Sequence, residues 1–224
     1  MIFILAFASI FPQEVLWPTQ MRKVFSSNFG ENRDDHFHMG VDIKTGGKIG
    51  IEVLAVEDGY ISRIRSNYTG YGKALYQRTT SGHEVVYGHL ESFTPALEKI
   101  WRIQQGKRMS YTVDTQFSPR DFQVKKGDVI GFSGNTGNSF APHIHFEYRT
   151  SKSVPLNPLT RAFDLEDNTK PIAKELAMIP ITPGALVNAS PLPQIFPLFR
   201  DKKGIYHFAD TISVFGEFGF AIKA

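Results

Sequence analysis

Apolar and polar residues alternate in short runs from Trp17 to about Thr160, and turns rich in Gly, Asn and Asp separate these runs. A period of two is typical of β-strands with one buried face, so we expect this part of the chain to be all-β. The exception is residues 95–105, whose apolar positions follow a helical spacing. Pro95 at the start and Gly106 after the end favour a short amphipathic helix there.

Glycine-containing turns between alternating runs predict β-hairpins. Two such pairs of runs are present: residues 51–56 and 60–65 around Asp58-Gly59, and residues 73–78 and 84–89 around Ser81-Gly82. A third turn at residues 125–128 leads into a strand at 129–132. The helix and the loop that follows it, residues 95–122, form an insertion, which we expect either to cap the end of a barrel or to line one wall of a substrate groove.

The sequence changes character after Arg161, where prolines accumulate before strand-like residues return at 205–222. We therefore predict a domain at residues 17–160, a linker at about 158–167, and a Pro-rich, β-rich unit at 161–224. An immunoglobulin-like sandwich needs about 100 residues, so the last unit is expected to be partial. The predicted fold class is mainly β, an antiparallel sheet or lipoyl-barrel-like domain with one short helical insertion followed by a partial β-sandwich-like unit.

The composition of the chain limits which partners it can bind and which side chains can hold a metal ion. The formal net charge of +3 is too small to indicate a nucleic-acid partner. The chain has no cysteine, which excludes thiolate ligands, so any metal must be held by His, Asp or Glu. The apolar run at the start of the chain is too short to span a bilayer as a helix. Residues 1–16 are instead predicted to be a clipped export signal, with a buried first strand as the alternative. We expect no permanent membrane span.

Five candidate metal ligands or catalytic residues fall in three short motifs. These residues are His38, Asp42, His89, His143 and His145. On a strand, His143 and His145 would share one face with their Cα atoms about 6.6 Å apart. His38 and Asp42 would come together through a turn or bulge at Gly40. A catalytic zinc site uses three protein ligands and an open position, but spacing alone does not say which three of the five bind.

Taken together, the motifs resemble those of the lysostaphin/LytM-type zinc metalloendopeptidases, which hydrolyse peptidoglycan. The matching segments are His38-Met39-Gly40-Val41-Asp42, Tyr87-Gly88-His89-Leu90, His143-Ile144-His145 and the glycine-rich run at 131–139. The resemblance covers residues 27–158. No H-E-x-x-H motif is present, so the helical zincin arrangement is excluded.

The resemblance implies a metallopeptidase domain with one zinc ion on His38, Asp42 and His145, and His89 and His143 as the catalytic pair. The expected reaction is hydrolysis of peptide cross-links in bacterial peptidoglycan by a metal-activated water. The partners would be peptidoglycan peptide stems, and the location the periplasm or cell envelope. The bond cleaved would be a D-alanyl–diaminopimelate link or a glycine bridge. The roles of His89 and His143 stay open.

Several neighbouring residues have alternative interpretations. Glu147 shares a strand face with His143 and His145 and could orient a ligand, although a strand-end charge explains it equally well. The glycine-rich segment contains polar residues that turn formation explains, namely Asn135, Asn138 and Ser139. Three other histidines are interpreted as surface or structural residues, namely His36, His83 and His207.

Two other functions are alternatives to the peptidase. A catalytically silent module of the same fold would bind peptidoglycan or activate a separate hydrolase, and such modules lack ligands that are all present here. The segment at 53–61 also resembles the barrels of biotinyl, lipoyl and sugar-phosphotransferase domains. No carrier lysine stands at Asp58-Gly59, and similarity of fold alone is a weak argument for function.

Overall fold

A computed structural model describes residues 15–33, 36–163 and 170–223. Most of the predicted export signal and part of the predicted linker therefore lie outside the described residues. The chain divides into two compact units, residues 1–165 and 166–224. Among the described residues, no helix is both long enough and apolar enough to cross a membrane.

The strands pair antiparallel throughout the described residues, and the two helices are short, which confirms the predicted fold class. The first unit contains β1 (Phe25–Ser27), β2 (Val41–Lys44), β3 (Glu52–Leu54), β4 (Gly59–Ser66), β5 (Lys73–Thr79), β6 (Glu84–Phe93), α1 (Pro95–Arg108), β7 (Val113–Gln116), β8 (Gln123–Val124), β9 (Val129–Ser133), β10 (His143–Arg149), β11 (Pro155–Leu156) and α2 (Pro158–Arg161). The second unit contains β12 (Glu175–Pro180), β13 (Leu186–Val187), β14 (Gln194–Pro197), β15 (Phe199–Arg200), β16 (Tyr206–His207), β17 (Val214–Phe215) and β18 (Phe218–Lys223).

One large sheet organises the first unit, with the strand order β1-β2-β10-β6-β5-β4-β7 along its main path. The short strands β3, β8, β9 and β11 pair beside this path. β10 lies between β2 and β6, and its residues His145 and Phe146 face a residue on both neighbours. This central place brings the three sequence motifs together, because they lie on or beside these three strands.

Alternation along β10 separates the core from the opposite face of the sheet. Ile144 and Phe146 are fully buried in the main hydrophobic core, together with Ile43 of β2 and Tyr87 of β6. Burial of each such side chain contributes roughly 1.5–3 kcal/mol to folding. Because side chains alternate along a strand, the residues between them, such as His145, point to the other face. The core therefore fixes the direction of the histidines.

The predicted hairpin of residues 51–56 with 60–65 is wrong. β3 pairs with β9, whereas β4 pairs with β5, β7 and β8. Gly59 is needed for a different reason, since a Cβ atom there would lie 2.0 Å from the carbonyl oxygen of Arg78. The Asp58-Gly59 turn is thus a corner between strands that find partners elsewhere in the sheet.

Two further local predictions are confirmed, and the predicted end of the helix before Gly106 is wrong. β5 and β6 form the predicted hairpin. The turn before β9 is closed by a 3.0 Å hydrogen bond from the Asp128 N–H to the carbonyl of Lys125. The helix begins at Pro95 as predicted but continues to Arg108, and Met109 ends it in the left-handed conformation with φ 46°.

The insertion packs onto the sheet. Leu97 and Trp101 of α1 are buried in the main core, and the Trp101 indole donates a 2.8 Å hydrogen bond to the hydroxyl of Ser66. β7 extends the sheet beside β4. These contacts support the interpretation of α1 as a cover over the core.

The second unit is also built of antiparallel strands. Its largest sheet has the order β14-β12-β18, and two further sheets pair β13 with β17 and β15 with β16. Met178 and Val187 are its buried apolar side chains of note. The unit is therefore β-rich but has a small core.

Candidate metal centre

Neighbouring positions of three strands assemble the candidate site. His145 of β10 lies directly opposite Asp42 of β2 and Gly88 of β6. His38 stands four residues before Asp42, at the bend that leads into β2. His89 follows Gly88 on β6. Sheet register therefore brings together all of the residues that the sequence placed far apart.

Three of these side chains converge on one point. Nε2 of His38, Oδ1 of Asp42 and Nδ1 of His145 lie 3.0–3.1 Å from one another. All three residues are buried, and their ligand atoms form a group that could hold a metal ion. Two imidazole nitrogens and one carboxylate oxygen are a donor set that zinc accepts.

Hydrogen bonds on the far side of each imidazole orient the lone pairs. Nδ1 of His38 lies 2.8 Å from the carbonyl oxygen of Asn28, which can only accept, so the proton is on Nδ1 and Nε2 is free. Nε2 of His145 lies 2.8 Å from a carboxylate oxygen of Glu147, which leaves Nδ1 directed toward Asp42. Nε2 of His38 and Nδ1 of His145 are thus the two nitrogens whose lone pairs a bound cation would take.

Electrostatics favour an ionised Asp42. Burial alone would raise the pKa of this carboxyl, but contacts with the imidazoles of His143, His145 and His38 hold it far below its usual range. Arg33 contributes a further contact, with its guanidinium 3.3 Å from Oδ2. Oδ1 is therefore left to the three imidazoles.

The charge on His145 depends on whether a metal is bound. Burial lowers the pKa of His145, but hydrogen bonds to Asp42 and Glu147 outweigh it and raise the pKa to about 9 in the protein without metal. A zinc ion must therefore displace a proton from Nδ1 at neutral pH. Below the raised pKa this competition weakens metal binding, and above it the competition disappears.

We expect zinc affinity to increase about tenfold per pH unit between pH 6 and pH 8, with about one proton released for each zinc bound. Titration calorimetry in buffers of different ionisation enthalpy measures the released proton directly. A zinc affinity that is constant over this pH range would contradict the protonation of His145 in the metal-free protein.

His89 and His143 lie beside the three donors. Their ring centroids are 4.7 Å apart, and Nε2 of His143 is 3.4 Å from Oδ1 of Asp42. Nδ1 of His89 lies 2.8 Å from the carbonyl of Thr136, and Nδ1 of His143 lies 2.7 Å from the carbonyl of Ala141. Each carbonyl accepts from Nδ1 of its ring, so Nε2 is the nitrogen of each ring that is available to exchange a proton.

His89 is held as a neutral base. Burial is the main reason that its pKa falls to about 4, and the nearby His145 and His143 lower it further. Its backbone is in the left-handed region, with φ 58°. A non-glycine residue adopts this conformation at a cost, so neighbouring contacts must hold it there.

Glu147 belongs to a buried polar network. Its side chain is fully buried, one carboxylate oxygen accepts from His145, and the other accepts from Nε of Arg149 at 2.6 Å. The hydroxyl of Tyr71 also donates to Glu147. Sequence reasoning identified Glu147 but missed Tyr71, Arg149 and Arg33. Period two could have found Arg149, whereas Tyr71 lies in a turn with no such signal.

The polar residues of the glycine-rich loop have both local and site contacts. The Ser139 hydroxyl donates to the Asn135 side chain at 2.7 Å and lies 3.2 Å from Nδ1 of His143. Ser139 therefore stabilises the turn and also contacts the imidazole of His143, a candidate catalytic residue. His36 is exposed, His83 stacks on Tyr148 at 4.5 Å, and His207 pairs with Asp201 at 3.0 Å, all outside this group.

Gly40 allows a close approach between the two halves of the site. The chain bends there as predicted, but φ at Gly40 is not in the left-handed region. A Cβ atom would instead lie 2.3 Å from the carbonyl oxygen of Phe146 and 2.8 Å from Cγ of Glu147. The need for glycine is thus one of space beside β10.

We expect Gly40→Ala to lower the free energy of unfolding by about 1–3 kcal/mol, because the new methyl group overpacks the backbone of β10. Urea unfolding measures this change. Gly106→Ala is the matched control, since that position in α1 is open, and alanine there should be neutral or stabilising by up to about 1 kcal/mol. Equal stability of the two variants would argue against the close approach at Gly40.

An antiparallel β-sheet that gathers two histidines and an aspartate, with two more imidazoles alongside, defines a candidate metal-dependent hydrolase site. The family model of Peptidase family M23 matches residues 36–122 and 118–158. The chain belongs to peptidase family M23, which confirms the resemblance to lysostaphin/LytM-type peptidases.

Several known proteins are similar to this chain. The DD-carboxypeptidase/endopeptidase Mpg of Neisseria meningitidis serogroup B is 32% identical over 133 residues, which cover 59% of this chain and 24% of that protein. The glycyl-glycine endopeptidase ALE-1 of Staphylococcus capitis is 31% identical over 115 residues, 51% of this chain and 25% of that protein. The chain thus spans about a quarter of the length of these curated relatives.

Solved structures are also similar to this chain. The catalytic domain of the antimicrobial peptidase lysostaphin from Staphylococcus simulans is 25% identical, with a TM-score of 0.45. The match covers 62% of this chain and 90% of that domain.

Proposed function

We propose that this protein is a zinc-dependent endopeptidase that hydrolyses peptide cross-links of bacterial peptidoglycan in the cell envelope. The observation that carries the proposal is the convergence of His38, Asp42 and His145 to within 3.0–3.1 Å, with His89 and His143 beside them. The chain therefore supplies three metal ligands and two further imidazoles, which are the side chains that metal-dependent hydrolysis requires. The names of the relatives, a DD-carboxypeptidase/endopeptidase and a glycyl-glycine endopeptidase, support a peptide bond as the bond that is cleaved.

In this proposal His38, Asp42 and His145 hold one zinc ion. When bound, the zinc ion polarises the scissile carbonyl and lowers the pKa of a water molecule toward about 7. Burial of the three ligands keeps bulk water from competing with them. Glu147 and the carbonyl of Asn28 orient the two imidazoles, so that little reorganisation is required when the ion enters.

His89 and His143 move the protons. A neutral ring with its lone pair on Nε2 accepts a proton from the attacking water. Once charged, the same nitrogen donates, either to the oxyanion or to the leaving amine. The low pKa of His89, about 4 through burial, keeps this ring unprotonated and ready to accept at neutral pH. Both rings meet the requirement of the mechanism, and their individual roles are for mutants to assign.

The test is digestion of purified sacculi by the zinc-loaded protein. Gram-negative sacculi present D-alanyl–diaminopimelate links and staphylococcal sacculi present glycine bridges, so the products distinguish the two bonds. Chromatography and mass spectrometry should show loss of cross-linked dimers, and a chelator should stop the reaction until zinc is restored. Bound zinc is measured by elemental analysis in the same samples.

Stoichiometric zinc without cleavage of either type of sacculus would overturn the endopeptidase proposal. The protein would then be a catalytically silent module that binds peptidoglycan or activates another hydrolase. Cleavage that persists in the absence of any bound metal would exclude the zinc mechanism.

A further inference from the structure

We propose that Tyr71 is a positioning residue that ties the metal ligand His145 and the catalytic residue His89 to one loop, residues 67–72. The inference rests on the proposed function, since it concerns the same site. Three parts of Tyr71, its hydroxyl, its ring and its carbonyl, each touch a different part of the site.

The hydroxyl acts on the metal ligand through Glu147. It donates to the same carboxylate oxygen that accepts from Nε2 of His145. Arg149 lies 3.3 Å from this hydroxyl and 2.5 Å from the other oxygen of Glu147. Because Glu147 is fully buried, water cannot replace a lost partner, and its carboxylate would have to rotate or stay underbonded. The orientation of His145 thus depends on Tyr71.

The ring and the carbonyl act directly. The Tyr71 ring lies 5.1 Å from the His145 ring at an interplanar angle of 32°, which restricts rotation of the imidazole. The Tyr71 carbonyl accepts a 2.8 Å hydrogen bond from the N–H of His89. This bond supports the left-handed backbone that His89 adopts at φ 58°. One residue therefore constrains a metal ligand and a proton carrier together.

The loop that carries Tyr71 is itself fixed to the glycine-rich segment. The N–H of Asn138 donates to the carbonyl of Gly70 at 2.8 Å, and the N–H of Lys73 donates to the hydroxyl of Thr136 at 2.9 Å. Thr136 is also the residue whose carbonyl holds Nδ1 of His89. The backbone and the ring of His89 are thus held by two segments that are bonded to each other.

The experiment compares Tyr71→Phe with Tyr68→Phe. Tyr71→Phe keeps the ring and the carbonyl and removes the hydroxyl, whereas Tyr68 is 74% exposed in the same loop. Zinc affinity is measured by competition with a chromophoric chelator at a temperature where circular dichroism shows every variant folded. We expect Tyr71→Phe to bind zinc about 10–100-fold more weakly and Tyr68→Phe to match the unaltered protein.

At saturating zinc, Tyr71→Phe should retain most of its kcat, because its carbonyl still holds His89. Tyr71→Ala, which also loses the ring, should weaken zinc binding further. A purely structural role would lower thermal stability without changing zinc affinity in the folded protein. Zinc affinity of Tyr71→Phe within twofold of the unaltered protein would overturn the inference.

The outcome separates the inference from the proposed function. If the unaltered protein binds zinc but cleaves no sacculi, the endopeptidase fails, while the zinc affinities still decide the role of the Tyr71 hydroxyl. If cleavage is observed and Tyr71→Phe binds zinc normally, only the inference about Tyr71 fails. If the unaltered protein binds no zinc, both fail.

Discussion

His145→Ala is expected to abolish zinc binding and cleavage of peptidoglycan together. The substitution removes one of three donors and leaves the buried carboxylates of Asp42 and Glu147 without the ring that both contact. Two donors fall short of the three protein ligands that a catalytic zinc site requires. Elemental analysis should therefore fall from one zinc per chain to none, and digestion of sacculi should fall to the level of the chelated protein.

The same variant should lose stability before metal is added. Removing a partner from a buried charged group costs about 1–3 kcal/mol, and urea unfolding measures this loss. His207→Ala is the control, because His207 lies on the surface of the second unit and pairs with Asp201. It should keep zinc, stability and cleavage. An active, zinc-containing His145→Ala protein would refute the proposed metal centre.

His89→Asn is expected to keep zinc and lose about 10²–10⁴-fold in kcat. Asparagine tolerates the left-handed backbone at this position, and its amide can still donate to the carbonyl of Thr136. It lacks a nitrogen that accepts a proton near neutral pH. The variant therefore removes proton transfer with little change in the surrounding structure.

Steady-state kinetics on a purified cross-linked muropeptide measure this effect, with KM expected to stay within a few-fold of the unaltered protein. His83→Asn is the control, since His83 precedes β6 and stacks on Tyr148 away from the metal centre. A His89→Asn variant with kcat within about tenfold of the unaltered protein would exclude His89 from proton transfer.

Local sequence was sufficient for many elements of this fold. Period-two alternation predicted β10 and the shared face of His143, His145 and Glu147, and the Ser81-Gly82 turn predicted the hairpin of β5 and β6. These features depend on residues that are close in the sequence, so they can be predicted from one sequence alone. The resemblance of the three motifs to those of a known family then predicted that these distant segments form one site.

Long-range pairing could not be predicted in this way. β3 pairs with β9, and Glu52 faces Phe132, although the intervening chain offers a nearer partner across Asp58-Gly59. The contacts that accompany the observed pairings, such as the close packing of Gly59 against Arg78, exist only in the folded sheet. Tyr71 was missed for the same reason, because its contact with Glu147 depends on the strand order β10-β6-β5.

The central place of β10 between β2 and β6 affects which changes the domain can tolerate during evolution. Backbone hydrogen bonds on both sides hold the strand, so we expect the scaffold to keep its shape without an ion, in contrast to small zinc-dependent folds. The metal-binding side chains can therefore be substituted without loss of the fold. A descendant could discard its donors, abandon hydrolysis and survive as an inert adaptor with the same architecture.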